Sequence, residues 1–254
     1  APDRECPELD KIIPDRAARA YNMKSIIKSV ADNGEWFELH AQWAPNIIIA
    51  LIRIMGRPVG VIANNPMSYA GVLNVNASDK ASRFIRFCDA FNIPLVTFSD
   101  VPGYMPGTDQ EWAGIIRHGA KLLHAYSEAT VPKITVVTRK AYGGSYIGMC
   151  CKQLGADYVM AWPTAEIAVM GASGACNIIH RAEIKGAVDP DAKRAALIAD
   201  YEEKFNNPYY AASLGAIEEV ILPSPTRKRI VVLLEALQNK KEARQTKKHN
   251  NIPL

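Results

Sequence analysis

Three short stretches join glycine to polar or aromatic residues just after apolar runs: Asp100-Val101-Pro102-Gly103-Tyr104-Met105-Pro106-Gly107, Ala141-Tyr142-Gly143-Gly144-Ser145 and Gly171-Ala172-Ser173-Gly174. The second says most. It follows the β-rich run 134–138 and leads into a short helical pattern through Met149. Glycine carries a large entropy cost and is placed where a side chain cannot fit or φ must be positive. A strand, a glycine turn and a helix start together point backbone N–H groups outward, toward negative charge. Gly143, Gly144 and Ser145 therefore read as a backbone oxyanion hole, in which each donor is worth roughly 2.7 to 4 kcal/mol in acyl transfer. On spacing alone, a tight turn with glycine for packing stands level with that reading.

Other chemistries fit less well. Ser145 lies between Gly144 and Tyr146, so the G-x-S-x-G elbow of a serine nucleophile is absent, and helix capping is its expected role. There is no G-x-G-x-x-G fingerprint and no GK[ST] loop. The histidines are scattered, and His118 and His124 share one predicted helix without an acid partner at ligand spacing; no metal site is expected. The five cysteines, Cys6, Cys88, Cys150, Cys151 and Cys176, also lack zinc-ligand spacing. Their odd number, with no signal-peptide pattern at the start, suggests a reducing interior.

Of the 254 residues, 48% are apolar and 22% charged, as in ordinary globular proteins, and the formal charge is a mild +4. Much of the positive charge lies in Arg227, Lys228, Arg229, Lys240, Lys241, Arg244, Lys247 and Lys248. No aromatic residues interleave with them as a nucleic-acid platform needs, so a solvated helix and tail is expected. No apolar run reaches the length of about 18 residues that a membrane span requires.

The elements that must position these loops follow from periodicity. Residues 1–20, rich in proline and charge, read as linker-like, and residues 21–254 as one domain. Met23, Ile26, Ile27 and Val30 have helical spacing, closed by Asn33-Gly34. Residues 36–39 read as a strand, and 47–54 with 59–63 as a hairpin around Met55-Gly56-Arg57-Pro58. A helix with Ser78 as its cap precedes strand 94–98. Thr108-Asp109-Gln110-Glu111 matches a capping box, opening one helix with an apolar face from Trp112 to Tyr126. Strands 134–138, 157–161 and 166–170 and helices 192–205 and 227–237 complete an α/β fold with a largely parallel sheet. In such a sheet, ligands gather outside the carboxyl ends of the strands, where all three glycine loops fall.

The block from DVPGYMPGTDQEW at 100–112 to RKAYGGSY at 139–146, continued by AWPTAEIAVMGASGA at 161–175, resembles the carboxyltransferase subunits of biotin-dependent acyl-CoA carboxylases, transcarboxylases and decarboxylases. The closing KKHNNIPL is similar to the ending of that family. The likeness spans the chain and matches the second of two related crotonase-like halves. It implies a crotonase-like spiral of β-β-α units and carboxyl transfer between carboxybiotin and a short-chain acyl-CoA of the propionyl or methylmalonyl type. It also implies biotin on a separate carrier protein, a first half holding the acyl-CoA, and a homo-oligomer, hexameric in the family. The setting it implies is the cytoplasm or mitochondrial matrix, with membrane association only through partner subunits.

Mapped onto this chain, the resemblance makes the N–H groups of Gly144 and Ser145 donors to the biotin ureido oxygen. Tyr142, Gly143, Tyr146, Ile147, Gly103, Tyr104, Pro106 and Gly107 are the candidate substrate contacts; Tyr104 and the Pro106-Gly107 bend either line the biotin entrance or form a structural loop, and the two readings stand level. Many members have alanine at position 145, which a backbone donor tolerates. Propionyl-CoA enzymes often have aspartate where this chain has Ile147, which leaves the acyl group unassigned. Arg117 and Lys121 are expected to face water. The alternatives are a stand-alone crotonase-type hydratase or isomerase, with Glu128 and Glu166 as its candidate carboxylates, and a non-catalytic docking or oligomerisation module.

Overall fold

Alternation along residues 47–64 sends Ile47, Ile49 and Ile62 to one face of a sheet and Ile48, Ile52, Val59 and Val61 to the other. Both faces are buried, so this is a three-layer α/β arrangement. The structure, a computed structural model, describes residues 1–16 and 19–242. Its elements in chain order are α1 (Met23–Val30), β1 (Trp36–Leu39), β2 (Ile47–Ile54), β3 (Arg57–Asn64), α2 (Val75–Ala90), β4 (Leu95–Val101), α3 (Thr108–Trp112), α4 (Ile115–Glu128), β5 (Lys133–Tyr142) and α5 (Gly143–Gly148). They continue with β6 (Tyr158–Ala161), β7 (Glu166–Ala168), α6 (Ala172–Ile179), α7 (Arg181–Gly186), α8 (Pro190–Lys204), α9 (Pro208–Ser213), β8 (Glu219–Val220) and α10 (Thr226–Ala236).

The strands lie in the order β1-β2-β3-β4-β5-β6-β8, with β7 paired to β5 off that path. The first two pairings are antiparallel and the rest parallel. The β2–β3 turn is a two-residue connection with positive φ at Met55 (53°) and Gly56 (74°), the geometry that matches strand twist. Asp32 accepts both of its N–H groups, at 3.1 and 2.8 Å.

One core joins the sheet to Ala77, Ala81, Phe84, Ile85 and Cys88 of α2, Leu122 and Tyr126 of α4, and Tyr146 of α5. The opposite core takes Met23, Ile26, Ile27 and Val30 of α1 and Ile230, Leu233 and Leu234 of α10. Each fully buried aliphatic side chain contributes roughly 1.5–3 kcal/mol. The site is therefore carried on a well-buried frame.

Several expectations change. The opening segment, read as linker-like, is packed: Cys6 and Leu9 are fully buried, and Arg4 donates to the Ser29 and Ala31 carbonyls. Asn74, not Ser78, caps α2, accepting the Ala77 N–H at 2.8 Å. The Thr108–Glu111 capping box does not form. Gly107, at φ 123°, is the cap residue, and Gly114, at φ 84°, breaks the expected helix into α3 and α4. That break rotates the pattern out of phase, leaving Trp112 88% and Ile116 78% exposed. Arg227 is no solvated tail residue, because it is buried against Asp32 and the Val30 carbonyl. Arg244, Lys247, Lys248 and the KKHNNIPL ending lie outside the described residues.

Candidate functional site

Strand β5 ends where the chain must turn sharply into α5. Gly143, at φ 53°, takes the left-handed step that a side chain would resist. Its missing β-carbon would also lie 2.8 Å from the Val169 carbonyl oxygen, so the turn fits against the segment after β7 only as glycine. Gly144 differs. It is exposed, and a β-carbon there would meet nothing within 4 Å.

Gly143, Gly144 and Ser145 are the first three residues of α5, so their N–H groups have no carbonyl one turn back to bond. Two of these donors belong to the residues expected to form the oxyanion hole. The Ser145 side chain is buried, and its Oγ donates to the Tyr142 carbonyl at 2.7 Å. It neither caps the helix nor offers a free nucleophile. Ile147 lies three residues beyond Gly144, on the same helical face, and is 43% exposed. Tyr146 points the other way, into the core, with its hydroxyl buried and unpaired. Burial pushes that hydroxyl's pKa well up. Tyr146 thus anchors α5 and leaves the open face to Gly144 and Ile147.

The three glycine loops do come together. Gly171 sits against the Tyr142 ring, 3.3 Å from its would-be β-carbon, and Tyr142 donates to the Glu166 carboxylate. Burial, then that bond, raises the Tyr142 pKa. Asn206 also donates to Glu166, at 3.4 Å. Glu166, considered above as a proton-transfer carboxylate, is thereby engaged as an acceptor.

The 100–107 loop is strapped down through Leu73: its N–H donates to the Gly103 carbonyl at 3.0 Å, and Met105 N–H returns to its carbonyl at 2.8 Å. Tyr104 turns inward, so its ring underlies this loop. A β-carbon on Gly119 would be 2.9 Å from its Cε1, and one on Gly148 2.6 Å from its hydroxyl oxygen. That hydroxyl is buried without a partner, and burial pushes it up to about 12. Pro106 and Gly107 remain exposed, while Gly103 is half-buried with open space at its α-carbon.

Lys121 does not face water; it pairs with Asp79 at 3.0 Å, as His118 does at 2.8 Å. Asp79 and Lys121 line a cavity of about 990 Å³ against α2. All five cysteines are free and buried. Among the described residues no three His, Cys, Asp or Glu side chains converge as metal ligands, and no helix is long and apolar enough to cross a membrane.

Sequence reading missed the Val169 carbonyl, the Tyr142–Glu166 bond and the buried Asp100–Arg139 pair. The first two depend on β7 lying beside the end of β5, which no local pattern specifies.

Comparison with known proteins gives these residues a context. The carboxyl transferase domain model matches residues 1–252. The methylmalonyl-CoA decarboxylase subunit alpha of Veillonella parvula is 56% identical over 253 residues, covering 100% of this chain and 48% of that protein. The propionyl-CoA carboxylase beta chain of Roseobacter denitrificans is 54% identical over 253 residues, covering 100% and 49%. A transcarboxylase 12S crystal structure, described as a hexamer assembly with methylmalonyl-coenzyme A bound, superposes with a TM-score of 0.95 at 53% identity, covering 99% and 48%. The chain thus spans about half the length of the curated relatives it matches.

Proposed function

Since this chain belongs to the carboxyl transferase domain family, with its crotonase-like α/β fold, we propose that it supplies the biotin-facing half of a carboxyltransferase site. The observation that carries the reading is the Gly144 position: a helix-start N–H beside empty space, where any side chain would intrude. A flat ureido ring needs such a shelf, so the residues present fit it. Biotin, carried on a separate protein, supplies a nitrogen that accepts and releases a carboxyl group.

The chain's own part is electrostatic. Gly144 and Ser145 N–H groups donate to the ureido oxygen as negative charge gathers there, a contribution of roughly 2.7–4 kcal/mol per donor. Gly143 fixes the direction of those donors through its contact with Val169. Ser145 Oγ, bonded to a carbonyl, stays out of the reaction. No side-chain nucleophile is required from the neighbouring thiols: burial pushes Cys150 up to about 12 and raises Cys151 as well. Ile147 presents apolar surface to the acyl group. The acyl-CoA is a short-chain one of the propionyl or methylmalonyl type, held by a preceding half contributed within a homo-oligomer.

The test is carboxyl transfer from malonyl-CoA and methylmalonyl-CoA to free biotin, by this chain alone and mixed with a matching first half. Biotin-dependent turnover in the mixture is expected. Turnover by this chain alone, unchanged when biotin is left out, would replace the proposal with a complete crotonase-type site.

A further inference from the structure

Beneath the glycine turn lies a buried ion pair for which the reaction above has no use. Asp100, near the end of β4, is fully buried. Its Oδ2 accepts from Arg139 Nε at 3.1 Å and Nη2 at 3.0 Å, and its Oδ1 accepts the Lys140 backbone N–H at 3.1 Å. Arg139 is equally engaged. Its Nη1 donates to the Arg19 carbonyl at 2.9 Å, and its guanidinium stacks over the Tyr21 ring at 4.9 Å. The Asp100 backbone is fixed too, because Asn64 Oδ1 accepts its N–H at 3.2 Å.

The pair sits where the sheet register breaks. Val137 of β5 lies opposite Ser99 of β4, yet the next pairing is Ala141 with Val101, so β5 advances four residues while β4 advances two. Extra residues of this kind leave backbone groups without ladder partners and re-aim the strand. The Asp100 carboxylate takes up the Lys140 N–H inside that stretch. At the same point β5 changes neighbours. It pairs with β6 as far as Val137–Ala161, and with β7 from Lys140–Glu166 onward. The turn begins at Gly143, directly after this second pairing region, and presents Gly144 one residue later.

We propose that Asp100 and Arg139 are positioning residues that hold the end of β5 in its offset register and so aim the Gly144 and Ser145 N–H groups. Their catalytic relevance rests on the oxyanion reading of those donors. A buried ion pair is weak evidence for stability as such, since apolar replacements of similar volume are often neutral. Here its work is geometric, and small misplacements of reacting groups are costly, about 10²-fold for an error near 1 Å.

The test uses the whole chain labelled with ¹⁵N-glycine, comparing wild type with Asp100→Asn and with the double variant Asp100→Leu/Arg139→Met. The double variant leaves no unpaired buried charge, so it decides the matter if the single one fails to fold. The amide resonances of Gly143 and Gly144 are expected to move by more than a linewidth in both variants, while that of Gly56, in the β2–β3 hairpin turn, stays in place. In the transfer mixture the double variant is expected to lose turnover about 10²-fold at unchanged KM for acyl-CoA. Unmoved Gly143 and Gly144 amides in the folded double variant would overturn the positioning role. If they move, yet Gly144→Val retains transfer, the oxyanion reading falls and the aiming of the turn stands.

Discussion

The Val169 carbonyl oxygen occupies the space that a Gly143 side chain would need, 2.8 Å from the would-be β-carbon. The adjacent Gly144 has no such neighbour. The two glycines therefore answer to different demands, one from the fold and one from the ligand. Gly143→Ala should lower stability by at least the 1–2 kcal/mol typical of a left-handed residue. For a chain of this size that is a melting shift of about 2–4 °C per kcal/mol. Gly144→Val should melt as wild type yet lose transfer by about 10²–10³-fold, because the valine side chain fills the open space and keeps the ureido oxygen from reaching the donors, with the cost of an unused oxyanion hole. Thermal unfolding beside the transfer assay checks both, and equal melting losses at the two positions would contradict this division.

Tyr104 supplies a second prediction. Its hydroxyl is buried and unpaired, a state that costs roughly 1–3 kcal/mol. Tyr104→Phe should raise stability by about 1 kcal/mol, as read by denaturant unfolding. Gly148→Ala should lower it by about 1–3 kcal/mol through overpacking against that hydroxyl. Combined, the changes should cost less than their sum, since the clashing atom is gone. Loss of transfer in a stable Tyr104→Phe would instead assign the hydroxyl to substrate.

Asp79 gives a pH dependence. Burial pushes its carboxyl upward, but the bonds from His118 and Lys121 prevail and hold it below its ordinary value. A depressed folded-state pKa contributes stability that is fully present above the unfolded value and is lost as pH falls through the folded one. The stability gap between wild type and Asp79→Asn should therefore be open at neutral pH and close on acidification below the ordinary carboxylate range. A gap that persists at acid pH would exclude this linkage.

Ile147 is exposed beside Gly144, so Ile147→Asp should change stability by no more than about 0.5 kcal/mol. Under the proposed function it should also raise the preference for propionyl-CoA over acetyl-CoA in kcat/KM by about tenfold, in line with the aspartate that propionyl-CoA enzymes often carry there and on the scale of one pocket contact. An unchanged ratio would remove Ile147 from the acyl pocket.

Much of this molecule is legible in its sequence because the signals are local. The hairpin at Met55-Gly56, the β-rich runs ending at the glycine loops and the helix 227–237 all appear close to where periodicity puts them. What escaped depends on distance. The capping box at Thr108 does not form because Gly107 takes the cap position, and the left-handed Gly114 re-phases the helix and turns Trp112 outward. Tyr146 looks like a site residue because it sits inside the glycine motif, yet α5 rotates it into the core. The linker-like opening is packed because Cys6 donates its N–H to the Ser224 carbonyl, a bond between ends of the chain that composition cannot foresee. The Asp100–Arg139 pair joins residues 39 positions apart and carries no motif at all.

The change of partners along β5 also bears on how the protein is made. Strand β5, Ala141 included, can pair with β4 as soon as it is synthesised, but residues 140–142 wait for Glu166–Ala168 on their other side. As the chain leaves the ribosome, the frame on the β4 side can assemble first, and the turn has no Val169 carbonyl to close against until that residue emerges. Order of birth thus sets order of assembly. The segment after β7 acts as the keystone of the site, and a chain halted before it would carry every glycine of the motif without the arch that gives them a shape.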